Sequence, residues 1–160
     1  HHLAGELLAS MSKTQLLHVP YRGDSGSLAA LLAGDIPMII APPTAVMANI
    51  KAGKLRALAT TGAKRDATLP DLPTIAEAGV KGYESGVWFG LAAPTGTPAD
   101  IIAKLSAAAI QGTKSPEFVK RMTELGYNIL GTNAAEMASM NQAEIQRWGP
   151  IVKASGAKVD

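Results

Sequence analysis

The residues best suited to chemistry lie in the loop Tyr21–Ser27, where an arginine, an aspartate and two serines stand among glycines. The apolar run Leu16–Val19 before it has the length and composition of a buried strand, and leucines recur at helical spacing from Leu28 onward. The loop is therefore predicted to lie at a helix N-terminus, where unpaired N–H groups and the helix dipole favour an anion. We predict that this loop holds a small carboxylate.

Two other interpretations compete for the same loop. In the first, it is an ordinary strand-to-helix connection in which Asp24 or Ser25 only caps the helix. In the second, the run Gly23–Gly26 (GDSG) is the nucleophile loop of a chymotrypsin-like protease. That chemistry requires a histidine base and a buried aspartate on a double β-barrel, so the predicted alternation of helices and short strands argues against a protease.

Composition excludes several classes of function. The chain has 160 residues, 47% of them apolar and 4% aromatic, which is enough for a sizeable core of helices packed on a sheet. A formal charge of +2 with dispersed Lys and Arg forms no basic stripe, so nucleic acid is not an expected partner. The chain has no cysteine, and its three histidines lack metal-ligand spacing, so we expect neither a metal site nor a cofactor.

The order of elements predicts an α/β fold with a largely parallel sheet, because a strand followed by a helix recurs in the first half and helices dominate the second. Strands are predicted at Leu16–Val19, Ile36–Ile40, Leu55–Thr60, Tyr83–Ala93 and Tyr127–Leu130. Helix N-caps are predicted at Thr44, Thr97, Ser115 and Asn133, the last in a capping box with Glu136, and Gly34 is predicted to end the second helix.

Five stretches carry a resemblance to a known family. They are His18–Gly23 (HVPYRG), Ile50–Ala59 (IKAGKLRALA), Leu69–Gly79 (LPDLPTIAEAG), Trp88–Pro98 (WFGLAAPTGTP) and Arg147–Gly149 (RWG). In this order they cover nearly the whole chain, and together they resemble the Bug, or TctC-like, periplasmic solute-binding proteins of tripartite tricarboxylate transporters. Each stretch alone is weak, but the ordered set is highly specific.

The resemblance implies a two-lobed α/β fold of the periplasmic-binding-protein type, the type 2 or Venus flytrap arrangement. Residues 1–92 would then form most of the second ligand-binding lobe, and residues 93–160 the C-terminal segment of the first lobe. Family members are about twice as long, and the first helix opens without a capping residue before it. We therefore expect a fragment that lacks the N-terminal part of the first lobe.

By position, the resemblance places ligand contacts in the segment that ends at His2, in the glycine-rich loop and in the turn after the second strand. The candidate ligand-binding residues are His2, Tyr21, Arg22, Gly23, Asp24, Ser25, Gly26, Ala41, Pro42 and Thr44. Asp24 departs from the family pattern by placing a negative charge near the anion, and we expect it to cap the helix. Ala41 stands where many relatives carry Asp or Asn, which weakens the case for an amino-acid ligand. His18 is expected to be a core or edge histidine rather than a ligand contact.

The resemblance implies a receptor in the periplasm, without catalytic residues, that captures a small carboxylate for the membrane permease subunits of a tripartite transporter. Two alternatives stay open: the effector-binding domain of a transcription regulator of similar fold, and a small α/β enzyme. The regulator would need a DNA-binding helix pair before His1, and the enzyme lacks a nucleophile and base at suitable spacing. With one lobe absent, we expect carboxylate binding no tighter than about millimolar.

Overall fold

The computed structural model describes residues 1–66 and 69–156. Six α-helices form within this described part: α1 His2–Ser12, α2 Gly23–Ala33, α3 Pro43–Lys51, α4 Ala99–Thr113, α5 Pro116–Glu124 and α6 Ala134–Ser155. The chain divides into two compact units, which we call unit 1 (His1–Gly86) and unit 2 (Val87–Asp160). Unit 1 contains α1 to α3, and unit 2 contains α4 to α6.

The core of unit 1 joins the first helix to residues far along the chain. Ala4 and Leu7 lie one helical turn apart on α1 and are both buried. Tyr83 is only 1% exposed, and its hydroxyl donates to the backbone oxygen of Ala4 at 3.0 Å. Because an unpaired buried hydroxyl would be costly, this bond fixes Tyr83 against the start of α1.

A second tertiary connection in unit 1 runs through Thr60 and Thr74. The two residues form a parallel β-bridge, in which the Thr60 N–H donates to Pro73 O and the Ile75 N–H donates to Thr60 O, each at 2.9 Å. The carboxylate of Glu77 closes this turn by accepting from the Thr74 N–H at 2.9 Å and from Arg65 Nε at 2.8 Å. Both bonds lower the pKa of Glu77 from its ordinary value. The bond from the Thr74 N–H has the larger effect, and the bond from the Arg65 guanidinium has the smaller one.

Unit 2 combines an extended run with three helices. A Cβ placed on Gly90 would approach Met137 Sδ to 2.9 Å, so the run packs closely on α6. Phe89 meets Tyr127 edge to face at 5.8 Å between ring centroids. The helices α4 and α5 pack on each other. None of the described helices, including the 22-residue α6, is long and apolar enough to cross a membrane.

The prediction of strands at five places in the sequence is wrong. In the described part of the chain all five runs lack regular strand pairing, and the Thr60–Thr74 bridge is the one recorded piece of ladder. A parallel strand takes its hydrogen bonds from strands that crossover connections bring alongside, so an apolar run alone cannot form one. Side chains in these runs stay exposed, with Leu17 at 91% and Leu91 at 81%.

Three helix boundaries lie where the sequence predicts them. Ser115 Oγ accepts from the Phe118 N–H at 3.3 Å, which makes Ser115 the N-cap of α5. The capping box of α6 is complete, because Asn133 Oδ1 accepts from the Glu136 N–H at 2.9 Å and Glu136 Oε2 accepts from the Asn133 N–H at 2.8 Å. Gly34 ends α2 in the left-handed conformation at φ 84°.

Two predicted N-caps are wrong, and proline explains both. Pro42 is the N-cap of α3 and Pro43 its first residue, because the fixed φ of proline suits the first helical position; Thr44 therefore lies inside the first turn. Pro98 is the N-cap of α4, and the Thr97 hydroxyl donates instead to Pro94 O at 2.7 Å.

Candidate functional site

The glycine-rich loop leads directly into α2, as the sequence predicts, but the helix starts earlier than expected. Its N-cap is Arg22, and Asp24 lies in the first turn. The prediction that Asp24 caps this helix is therefore wrong. Gly23 has a φ of 77°, which glycine adopts without strain, and its N–H donates to Tyr21 O at 3.1 Å. This tight turn starts the helix before Asp24 can take the capping position.

The start of α2 offers both a cation and backbone donors. No side chain caps the helix, so the first-turn N–H groups have no acceptor from the N-cap residue. Arg22 is exposed, and its guanidinium can hold a carboxylate with two parallel hydrogen bonds. Asp24, with its side chain 45% exposed, lies 3.6 Å from His1 Nε2, which partly offsets its negative charge when His1 is protonated.

The loop is compact around Gly26. A Cβ at Gly26 would lie 3.5 Å from Tyr21 Cβ, in ordinary van der Waals contact, so Tyr21 folds back over the first turn of α2. Ser25 is exposed at the surface of that turn. Ser27 Oγ donates to Asp24 O at 3.1 Å, so this hydroxyl is used within the helix. The exposed polar groups left for a ligand are therefore Arg22, Ser25 and the first-turn backbone.

The second candidate segment also leads directly into a helix, which begins with two prolines. Ala41 and Pro42 are half-buried, and Thr44 is exposed in the first turn of α3. No side chain caps α3 either. Because α2 and α3 pack on each other, two helices that begin without side-chain caps lie side by side. A concave surface shared by the loop before α2 and the turn before α3 stays a prediction.

His2, the remaining candidate residue, makes contacts that join α1 to the segment just before the glycine-rich loop. Its ring stacks on the ring of His18, with centroids 3.7 Å apart and planes 6° from parallel. His2 Nε2 also lies 3.3 Å from Glu6 Oε1, one helical turn along α1. His18 is exposed and is therefore not a core histidine. The spacing of His2 and Glu6 could be read from the sequence, but the stack joins residues far apart and had no sequence signal.

Two shallow depressions of the described surface are lined by other residues, although one of them borders His2 through Glu6. One is lined by Glu6, Ala9, Thr14, Gln15, Leu16 and Leu17, and the other by Leu69, Pro70, Asp71 and Leu72. Neither includes a residue predicted to bind ligand, and both are open to solvent. The described residues also contain no group of three or more His, Asp or Glu side chains that could hold a metal ion.

Comparison with protein families gives a match over nearly the whole chain. The model of the tripartite tricarboxylate transporter family receptor matches residues 1–157. A UPF0065 protein of Pseudomonas sp. strain P51 is 38% identical over 152 residues, covering 94% of this chain and 45% of that protein. A UPF0065 protein of Pseudomonas knackmussii is 36% identical, covering 94% of this chain and 90% of the relative. Apart from that shorter protein, the chain spans about half the length of the curated relatives it matches.

Three solved structures are also similar to this chain over nearly its whole length. The R. palustris protein Rpa4515 with adipate is 37% identical with a TM-score of 0.85, over 97% of this chain and 52% of that one. MatC from Rhodopseudomonas palustris with bound malate is 32% identical with a TM-score of 0.79, over 94% of this chain and 52% of that one. The periplasmic binding protein BugD is 32% identical with a TM-score of 0.77, over 98% of this chain and 53% of that one.

Proposed function

Because the chain belongs to the tripartite tricarboxylate transporter receptor family, we propose that it is the ligand-capturing part of a periplasmic receptor for a small dicarboxylate. In this proposal it passes the ligand to the permease subunits of a membrane transporter and catalyses no reaction. The family and the fold class predicted from the sequence are confirmed by the family match and by the superposition on periplasmic binding proteins.

The observation that carries the proposal is the chemistry of the ligands in two similar structures. Adipate and malate are both aliphatic dicarboxylates, and the proteins that hold them are 37% and 32% identical to this chain. They differ in length and in a hydroxyl group, which is consistent with recognition that depends mainly on the two carboxylates. We therefore assign this chain the same class of ligand, without choosing a member of the class.

The start of α2 can supply the groups that such a ligand needs. A carboxylate placed there would accept hydrogen bonds from the Arg22 guanidinium, the Ser25 hydroxyl and first-turn N–H groups. A second contact would come from the Thr44 N–H in the first turn of α3, because Pro43 has no N–H and the Ala45 N–H donates to Pro42 O at 3.0 Å. Gly23 has no side chain to block the backbone, and a Cβ there would have no neighbour within 4 Å.

The exposure of these groups sets the expected affinity. Arg22 and Ser25 are exposed, so a charge pair there is solvated and contributes only about 1 kcal/mol. Association loses several kcal/mol of translational and rotational freedom. We therefore expect this chain to bind a dicarboxylate with a dissociation constant of about 1 mM or weaker.

The test is a titration of the chain with malate, adipate and the uncharged diamide of malate, followed by NMR because the affinity is low. Both diacids should bind at about millimolar concentration, and the diamide should not bind. Arg22→Gln should weaken malate binding about threefold to fivefold, the effect of one exposed ion pair. Arg56→Gln is the matched control, since Arg56 is an exposed arginine of unit 1 outside both candidate segments.

Two results would contradict the proposal. Equal binding of malate and its diamide would show that the carboxylates are not recognised. Equal effects of Arg22→Gln and Arg56→Gln would show that any carboxylate binding does not take place at the start of α2.

A further inference from the structure

The segment between α1 and α2 is held loosely along most of its length. Leu16 is 40% exposed, Leu17 91%, Val19 44% and Tyr21 39%, so little apolar burial fixes this run. The ring stack of His2 and His18, with centroids 3.7 Å apart, joins the middle of the segment to the first turn of α1. The stack of these two rings is therefore a contact that helps to position the run leading into the candidate ligand loop.

The charge of the two rings decides whether they can stay stacked. One imidazolium can stack on a neutral imidazole, but two imidazolium rings face to face repel each other. Glu6 lies beside the stack, 3.3 Å from His2 Nε2, and can accommodate a single proton there. The neighbouring pair of His1 and Asp24, 3.6 Å apart, joins the same end of α1 to the first turn of α2. These are the charged partners that the described structure records around the stack and its neighbours.

We propose that the His2–His18 stack is a proton-sensitive clasp that positions the candidate ligand loop on α1. The clasp holds while at most one ring is protonated and opens when both are, because two stacked imidazolium rings repel each other. His2 and His18 are thus positioning residues. The consequence for ligand binding rests on the function proposed above, whereas the clasp itself can be observed without ligand.

The experiment uses the small number of histidines. The chain has three, so each ring gives a separate NMR signal that single substitutions assign. Between about pH 7.5 and pH 5, the wild-type chain should lose the ring-to-ring contact, and the amide signals of residues 18–26 should shift with it. His18→Phe keeps a flat ring that cannot be protonated, so its loop signals should shift much less than those of the wild type, with the remaining shift centred on Asp24 beside His1. His18→Ala should resemble the acid form already at pH 7.5.

His1→Gln is the control for the neighbouring pair, because it removes the contact with Asp24 and leaves the stack intact. Its loop signals should follow pH as those of the wild type do. Loss of the pH response in His1→Gln would assign the effect to the His1–Asp24 pair and overturn the clasp. The clasp is also overturned if His18→Phe responds to pH as the wild type does, or if the wild-type loop signals do not move.

A malate titration then tests the link to binding. Malate itself takes up a proton in this range, so the readout is the wild-type affinity relative to that of His18→Phe at each pH. This ratio should fall at least about threefold from pH 7.5 to pH 5. An unchanged ratio, with loop signals that do respond, would overturn the link to the ligand. If neither protein binds malate at pH 7.5, the proposed function fails, and the clasp stands or falls on the amide signals alone.

Discussion

The two units of this chain are stabilised in different ways. In unit 1, Tyr83 and Thr74 are buried at 1% and 2% exposure, and the Tyr83 hydroxyl bonds to Ala4 across most of the unit. Its three helices begin without a side-chain cap. In unit 2, α5 and α6 begin with side-chain caps, but none of its described residues is fully buried. Contacts between distant residues hold unit 1, whereas local signals define the helices of unit 2.

The largest effect that tests this contrast is expected at Tyr83. Tyr83→Ala should lower the free energy of unfolding of unit 1 by about 3–5 kcal/mol, because it empties a buried site. Tyr83→Phe removes only the hydroxyl and should cost about 1 kcal/mol. Urea unfolding followed by circular dichroism measures both. The matched control is Tyr127→Ala in unit 2, whose side chain is 37% exposed and should cost about 1 kcal/mol. If Tyr83→Ala and Tyr127→Ala lower the free energy of unfolding equally, the two units are not stabilised in different ways.

The next largest loss of stability is expected where Gly90 packs against Met137 in unit 2. A methyl group on Gly90 would meet the end of the Met137 side chain, with Sδ at 2.9 Å; because that end is flexible, Gly90→Ala should destabilise unit 2 by only about 1–1.5 kcal/mol. The loss should be smaller in a Met137→Ala background, which a double-mutant cycle detects. Gly86→Ala, at the end of unit 1 just before the extended run, is the control for an added methyl group, since a Cβ there has no neighbour within 4 Å. If Gly90→Ala and Gly86→Ala cost the same, the extended run does not pack on α6.

A smaller effect separates a real cap from a residue that only resembles one. Asn133→Ala should lower stability by about 1 kcal/mol, because it breaks the capping box of α6. Asp24→Ala should cost no more than about 0.5 kcal/mol, since Asp24 contributes only a first-turn charge and an exposed contact with His1. Thermal unfolding of the two variants gives the comparison. A loss at Asp24 as large as that at Asn133 would restore Asp24 as a cap.

The smallest effect is a pH dependence confined to unit 1. The pKa of Glu77 is lowered from 4.5 by the Thr74 N–H and then by Arg65. Ionised Glu77 therefore stabilises the fold above its unfolded-state pKa, and this stability is lost as the pH falls through the lowered pKa of the folded state. Stability of the wild type should fall below about pH 5, and Glu77→Gln should flatten that decline. Arg65→Gln should flatten it less, because the Thr74 bond remains. A decline in Glu77→Gln as steep as in the wild type would contradict this assignment.

The sequence predicted those features that depend on neighbouring residues. The caps at Ser115 and Asn133 and the stop at Gly34 follow from side chains and backbone freedom within one turn. The ordered family stretches predicted the fold class and the family, because such a set records the whole fold and not one element. The residue types of the glycine-rich loop also predicted that it leads into a helix.

Features that depend on distant partners could not be read from the sequence. The predicted strands needed neighbours to pair with, and Leu17 and Leu91 are almost fully exposed instead. The early start of α2 is a local feature that the sequence also missed, because a glycine does not reveal that its φ is positive, and the positive φ of Gly23 displaces Asp24 from the cap. The stack of His2 on His18 joins two elements, so composition and periodicity gave no sign of it.

In the proposed site, the loop before α2 and the turn before α3 together bind a dicarboxylate. Its most direct test is to follow every backbone amide of the chain by NMR while malate is added. We expect the amides at 21–26 and those of Ala41 and Thr44 to shift along one saturation curve, and the diamide of malate to move neither set. Shifts confined to other surfaces, such as the depression at Leu69–Leu72, or separate saturation of the two segments, would contradict it.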